Sequence, residues 1–263
     1  MTQPDVRQAV LVTPIWQPTL DEQSATLLRI SQRTNAELPS VFLAPHTLDL
    51  GYYRETFPTT QVLTFEPQHF SSVASYSAWM TTPELYRALS GFSWMVLCQT
   101  DAVLVRSVGD LLEDVDQSPD PYDYLGARWS PPVRVLAFGN RLVVDSPTAQ
   151  PRGPWFARLF GRRLHVGNGG LSLRRIAQFE EVATRITKEL PRRIIEHCYE
   201  DVIYCTYGPA RGLRVASVAQ AQAVFVETEV IGRTALPDTY GFHALARWNP
   251  PLIQELLKQF ADE

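Results

Sequence analysis

Apolar and polar positions along this chain follow two alternating periods. Short charge-free runs, Ala9 to Thr13, Val41 to Ala44 and Gln61 to Phe65, read as buried strands, the first two stopped by Pro14 and Pro45. Between the first two, Asp21 to Glu37 carries helical spacing in Leu27, Leu28 and Ile30, with Asp21 able to cap its start. Pro83 to Leu89 predicts a short helix with proline in its first turn, leading into the apolar run Trp94 to Val105, whose strand is predicted to end at Gln99. Pro119 to Pro132 and Asp145 to Pro154 are proline-rich and predict loops around a short strand, Asp123 to Gly126. Ile176 to Leu190 and Arg192 to Tyr207 each predict a helix, stopped by Pro191 and by Gly208 with Pro209. Val224 to Val226 reads as a late strand and Leu252 to Phe260 as a terminal helix. Strands alternating with helices predict an α/β fold with a mainly parallel central sheet flanked by helices.

A chain of 263 residues is long enough to bury a large core as a single domain. Its 45% hydrophobic and 20% charged residues are ordinary for a globular protein, and a net charge of -4 argues against general nucleic-acid affinity, so any anion site must be local. No apolar run approaches the ~20 residues that cross a bilayer, and the start lacks the apolar core of a secretory signal, so cytoplasmic residence is the default expectation. Cys98, Cys198 and Cys205 form no close pair and suggest neither a disulfide framework nor a zinc cluster. Cys98 reads as a small core residue, and Cys198 and Cys205 fall on one face if their segment is a single helix.

One charge interrupts the apolar run WMVLCQTDAVLV. An ionised group set into such a run needs a partner or a cation, because burying it bare costs several kcal/mol, which makes Asp101 the first candidate; the alternative is a structural acid that caps a turn or pairs with Arg106. In HVGNGGLSLR, Gly167, Gly169 and Gly170 surround Asn168, so the backbone can approach a ligand closely before entering a helix, or simply make a tight turn. Glu200 and Asp201 open an apolar helical face beside Tyr199, either at a cleft wall or solvated. His243 lies in a glycine-aromatic turn near the C-terminus, where it can ligate a metal from the far side of a site, although a lone histidine usually does not.

Taken in order, LCQTDAVLV, YDYLGARW (Tyr122 to Trp129), VGNGGLSLR (Val166 to Arg174), YEDV (Tyr199 to Val202) and GFHALARW (Gly241 to Trp248) resemble the GT-A class of nucleotide-sugar glycosyltransferases. They are most similar to a bacterial and fungal family of that class long described only as a domain of unknown function, over Ala9 to Trp248. The resemblance implies one GT-A-like domain with a nucleotide-binding half over about residues 9–130 and an acceptor half over about 131–250. It implies that Asp101, with Thr100 beside it, contacts the diphosphate and a divalent metal, Mn2+ or Mg2+, and that His243 completes the metal site. It places Asp201, with Glu200 second, as the carboxylate facing the acceptor hydroxyl, Asn168, Gly169 and Gly170 along the sugar pocket, and Thr13 with Pro14 where the nucleoside docks. Gln99-Thr100-Asp101 supplies a single acid where the usual motif has two, which puts the metal in question.

A glycosyl donor needs its leaving diphosphate stabilised, by a hard cation held by carboxylate, imidazole and phosphate oxygens or by arginines, for which Arg174 and Arg175 are candidates against a solvated helix start. The acceptor hydroxyl needs a base, the role expected of Asp201 in an inverting enzyme. The expected function is transfer of a sugar from a nucleotide-sugar donor to a glycan, lipid-linked or small-molecule acceptor, as in surface polysaccharide synthesis. A catalytically silent nucleotide- or sugar-binding module and a sugar nucleotidyltransferase are the alternatives; the second is disfavoured because no glycine-rich phosphate loop with a lysine follows the first strand. Trp155 to Leu164, WFARLFGRRL, mixes aromatics with Arg158, Arg162 and Arg163, and reads either as an interfacial helix at an acidic inner membrane face or as a lid with its aromatics packed inward.

Overall fold

A computed structural model describes residues 9–139, 141–146, 153–222 and 224–260. Its strands are β1 (Ala9–Pro14), β2 (Ser40–Pro45), β3 (Gln61–Phe65), β4 (Trp94–Cys98), β5 (Ala102–Leu104), β6 (Tyr124–Phe138), β7 (Arg141–Asp145), β8 (Arg162–Arg175), β9 (Phe225–Val226) and β10 (Gly241–His243). The central sheet has seven strands in the order β3-β2-β1-β4-β8-β6-β7. β3, β2, β1 and β4 pair in parallel, whereas β8 runs against β4 and β6, and β7 against β6, so one half of the sheet is parallel and the other antiparallel. Helices cover both faces, so the expected α/β architecture with a large helix-flanked sheet holds, but the sheet is mixed rather than mainly parallel.

Period-two alternation explains how the core divides. Val10 and Val12 of β1 with Met95 and Leu97 of β4 face one layer, which includes Trp79, Phe179 and Tyr204. Ala9 and Leu11 with Val96 and Cys98 face the other, with Leu104, Leu111 and Leu125. Strands buried on both sides have no polar face, hence the charge-free runs. Asp21 caps the helix Glu22–Thr34 as expected, accepting from the Ser24 N–H at 2.9 Å.

A second sheet, β5-β10-β9, is small but sets the site. The Trp94–Val105 run is two strands: after Cys98 the chain turns and re-enters as β5, which pairs antiparallel with β10 and opposes Ala102 to His243.

Several expectations need correction. The short strand expected at 123–126 is the start of the fifteen-residue β6, paired with β7, so the loop expected over Pro119 to Pro132 ends at β6; Trp129 to Pro132 fall in a register break against β8, where prolines cost no ladder bonds. Most of the loop expected over Asp145 to Pro154, residues 147–152, lies outside the described residues. The glycine segment 167–170 is neither a turn nor a helix entry but the interior of β8. Arg192 to Tyr207 is two helices, Arg192–His197 and Glu200–Tyr207, with Cys198 extended between them, so Cys198 and Cys205 share no helical face. The helix read in Trp155 to Leu164 ends at Phe160, and β8 begins at Arg162. All three cysteines are free and buried.

Candidate active site

The carboxyl ends of β1 and β4, where ligands of open α/β sheets collect, are level with one another because Val12 pairs with Leu97. β8 runs the other way and brings its middle to the same edge: the Gln99 N–H donates to the Gly170 carbonyl at 2.9 Å. Four of the five motifs therefore meet at this edge.

Asp101 ends the turn between β4 and β5. Since Ala102 opposes His243, Asp101 reaches the imidazole, with Oδ1 3.5 Å from Nε2. The Ala244 N–H donates to the Asp101 carbonyl at 3.0 Å, and Ala244 takes the left-handed conformation, φ 53°, to do so. Arg106, the alternative partner, instead pairs with Asp238 and lies over the Tyr240 ring.

On the other side of the imidazole stands a residue that sequence reasoning missed. β9 is parallel to β10 with Phe242 opposite Val226, so Glu227 falls beside His243 and sets Oε1 3.4 Å from Nδ1. Glu227 is buried, and it also accepts from Asn168 Nδ2 at 2.9 Å and from Trp248 Nε1 at 3.4 Å. Asn168 turns its Oδ1 to the Gly170 N–H at 3.0 Å. Burial opposes charge on His243, but its hydrogen bonds and attraction to Asp101 and Glu227 outweigh it and raise its pKa to about 10. Burial likewise pushes the Asp101 carboxyl up, yet the His243 bond and charge, with help from Arg247, hold it below the usual carboxylate value. Arg247 was also missed; it is exposed and lies over the Trp248 ring.

Gly169 and Gly170 each make room for a different group. A Cβ on Gly170 would lie 2.1 Å from His243 Nε2, and one on Gly169 would lie 2.5 Å from Glu200 Oε1 and 3.3 Å from Asp201 Cβ. The Gly169 N–H donates to Asp201 Oδ2 at 3.2 Å. Asp201 and the Asp101–His243 pair thus flank one peptide unit of β8. Burial and the neighbouring Glu200 charge raise the Asp201 pKa above the usual carboxylate range, against backbone bonds from Val202 and Gly169 and the charge of Arg174.

Glu200 itself faces inward. It is buried, paired with Arg174 Nη2 at 3.2 Å, and accepts from Ser77 Oγ at 3.2 Å. Both of its oxygens are engaged inside the protein, one in an ion pair with Arg174. Arg174 and Arg175 do not serve a diphosphate either: Arg174 is fully buried between the Tyr124 and Phe179 rings, and Arg175 stacks 4.1 Å over Trp94 and pairs with Asp123. Thr13 and Pro14 are also buried in β1; exposure begins beyond that end at Trp16, 49% accessible. Thr100 is half-buried beside Asp101.

Among the described residues no group of three His, Cys, Asp or Glu side chains surrounds one point where a metal could sit. Asp101 and His243 offer two donors on one side, while Glu227 lies behind the ring. Nε2 of His243 already faces Asp101 Oδ1 at 3.5 Å, so a cation at this point requires the imidazole to give up its proton. Two surface concavities, of about 390 and 470 Å3, include none of these residues, and Asp101, with 55% of its side chain accessible, stands at an open edge.

Mouse xyloside xylosyltransferase 1, in its apo form, has a similar structure, with a TM-score of 0.50 at 10% identity over 91% of this chain and 98% of that one. CMP:2-keto-3-deoxy-manno-octonic acid synthetase complexed with CTP aligns at a TM-score of 0.43 and 12% identity, over 80% of this chain and 90% of that one. No curated protein sequence matches. Residues 59–243 match the model of a family described as "Protein of unknown function (DUF5672)", and the chain belongs to that family.

Proposed function

We propose that this chain is a glycosyltransferase, moving a sugar from a nucleoside-diphosphate donor to a hydroxyl acceptor at the edge formed by Asp101, His243, Asn168–Gly170 and Asp201. One observation carries the reading: the Asp101–His243 pair, braced by Glu227, lies one peptide unit of β8 from Asp201, whose pKa is raised. Such a pairing of a cation-holding cluster with a proton acceptor suits displacement of a diphosphate by a hydroxyl. The fold shared with a xylosyltransferase supports it.

A divalent cation fits the donor set of carboxylate oxygen and imidazole nitrogen, the remaining positions falling to water and phosphate oxygens as is usual for Mg2+. When bound there, it neutralises charge building on the leaving diphosphate. A cation bound there would be held by Asp101 and by Nε2 of His243 once the imidazole has lost its proton, with Glu227 and Asn168 fixing the ring and the β8 backbone and exposed Arg247 adding positive charge at the same edge. Trp16 offers a flat surface for the nucleobase.

Asp201 takes the acceptor proton as the acceptor oxygen bonds to the anomeric carbon. Attack from the face opposite the diphosphate, whose bond to that carbon breaks with its electron pair on the departing oxygen, would invert the configuration. The raised pKa keeps the carboxylate basic enough for this near neutral pH.

Incubation with a panel of nucleotide sugars and Mn2+ tests the reading. Release of nucleoside diphosphate, abolished in Asp101→Ala and in Asp201→Asn, is expected. Release of pyrophosphate from a nucleoside triphosphate and a sugar would assign a nucleotidyltransferase instead, and nucleotide binding with no turnover would assign a binding module.

A further inference from the structure

The antiparallel end of the sheet carries a surface that sugar transfer does not use. The helix Trp155–Phe160 packs on β6 and β7, and Arg134 Nη1 donates to the Arg158 carbonyl. Ala157 is the helix's buried residue, whereas Trp155, Phe156, Leu159 and Phe160 stand in solvent, Phe160 at 72%. Pairing from Arg134 to Phe138 is regular, so alternation puts Phe138, 74% exposed, on the face of β6 that Arg134 presents to the helix. The expected lid with inward-facing aromatics is not what forms.

The exposed charges on these elements have one sign; Asp145, opposite Arg134 at the end of β7, is buried. Arg141, Arg158, Arg162 and Arg163 are all exposed. Leu125 to Val144 and Gly153 to Phe179 contain no Asp or Glu, in a chain whose net charge is -4. Aromatic side chains left in water at one edge mark an interaction surface. A second copy of the chain would set arginine against arginine, which opposes self-association. An anionic bilayer suits both features: rings settle at headgroup level and guanidinium groups meet phosphates. No helix among the described residues is long and apolar enough to cross a membrane, so such contact is peripheral.

We propose that this edge docks the protein on an anionic lipid bilayer, with Trp155, Leu159, Phe160 and Phe138 entering the headgroup region and the surrounding arginines pairing with lipid phosphates. β8 leads from Arg162 to Gly169, so the candidate active site lies roughly 20 Å along one strand from the lipid surface. The proposal stands apart from the sugar-transfer reading, since it requires no catalysis.

Co-sedimentation of the full chain with phosphatidylcholine vesicles, with and without phosphatidylglycerol, tests it. Binding is expected only with the anionic lipid and should weaken as salt rises. At about five-fold per arginine near such a surface, joint Arg158→Gln, Arg162→Gln and Arg163→Gln should lower partitioning about 100-fold. Leu159→Ser with Phe160→Ser should abolish stable binding, and both variants should melt as the parent does because the side chains are exposed. Equal binding to neutral vesicles, no vesicle binding at all, or binding unaffected by either variant would overturn the proposal. So would a dimer in solution that the same substitutions convert to monomer, which would assign the surface to a second copy.

Discussion

Gly170→Ala isolates the geometry of the candidate site with one methyl group. The added Cβ would stand 2.1 Å from Nε2 of His243, 2.4 Å from Cε1 and 2.6 Å from Cδ2, so it meets the ring rather than a movable tip. Reaching ordinary contact requires a retreat of about 1.3 Å at Nε2. The ring cannot give that distance freely, because Glu227 lies 3.4 Å from Nδ1 and Asp101 3.5 Å from Nε2. The substitution should therefore cost about 1–3 kcal/mol of stability as overpacking. Losing ring orientation should also weaken Mn2+ binding about 10–100-fold, as loss of outer-shell support at a metal site ordinarily does. Calorimetric titration of Mn2+ in the presence of a nucleoside diphosphate, beside a urea melt, reads both quantities. Gly91→Ala is the control: nothing lies within 4 Å of its added Cβ, and neither quantity should move. Parent-like Mn2+ affinity and stability in Gly170→Ala would show that the ring does not occupy that space.

Other consequences follow from the same contacts. Glu227→Gln should lower Mn2+ affinity about 10–100-fold, read by calorimetric titration, since it replaces the buried carboxylate beside His243 Nδ1 with a neutral amide. Asp201→Asn should reduce turnover about 10^2–10^4-fold with nucleotide affinity unchanged, read by steady-state kinetics and equilibrium binding. Arg174→Met should destabilise the fold by about 3–5 kcal/mol in urea, because it leaves the buried Glu200 carboxylate without its counter-charge. Asp21→Ala should cost about 1 kcal/mol at neutral pH. The Ser24 backbone and hydroxyl bonds lower the folded-state pKa of Asp21, so its stabilisation is full above the ordinary carboxylate value and fades as pH falls through the folded one. The melting difference between parent and Asp21→Ala should accordingly shrink on acidification.

The parallel half of the fold was readable because strands buried on both faces are charge-free runs, and prolines mark the ends of two of them. β6 was hidden by Pro131 and Pro132, which ordinarily argue against a strand; here they occupy a register break that needs no ladder bond. The glycines of β8 suggested a turn because glycine signals backbone freedom, whereas Gly169 and Gly170 provide space for side chains from other elements, which only tertiary structure reveals. In the site, Asp101 and His243 were legible from an acid inside an apolar run and from the resemblance, and β5–β10 pairing accounts for their meeting. Glu227 carried the same local signal, an acid at the end of an apolar strand, but its role depends on the register of β9 against β10. Glu200 and Arg174 show the converse: types that suggest chemistry, joined as a buried ion pair.

Electron paramagnetic resonance of bound Mn2+, with histidine nitrogens labelled, shows whether His243 holds the metal. With a nucleoside diphosphate present, one imidazole nitrogen should couple to the metal, and the coupling should vanish in His243→Ala. Mn2+ bound with no histidine coupling, or coupling that survives that substitution, would contradict the account.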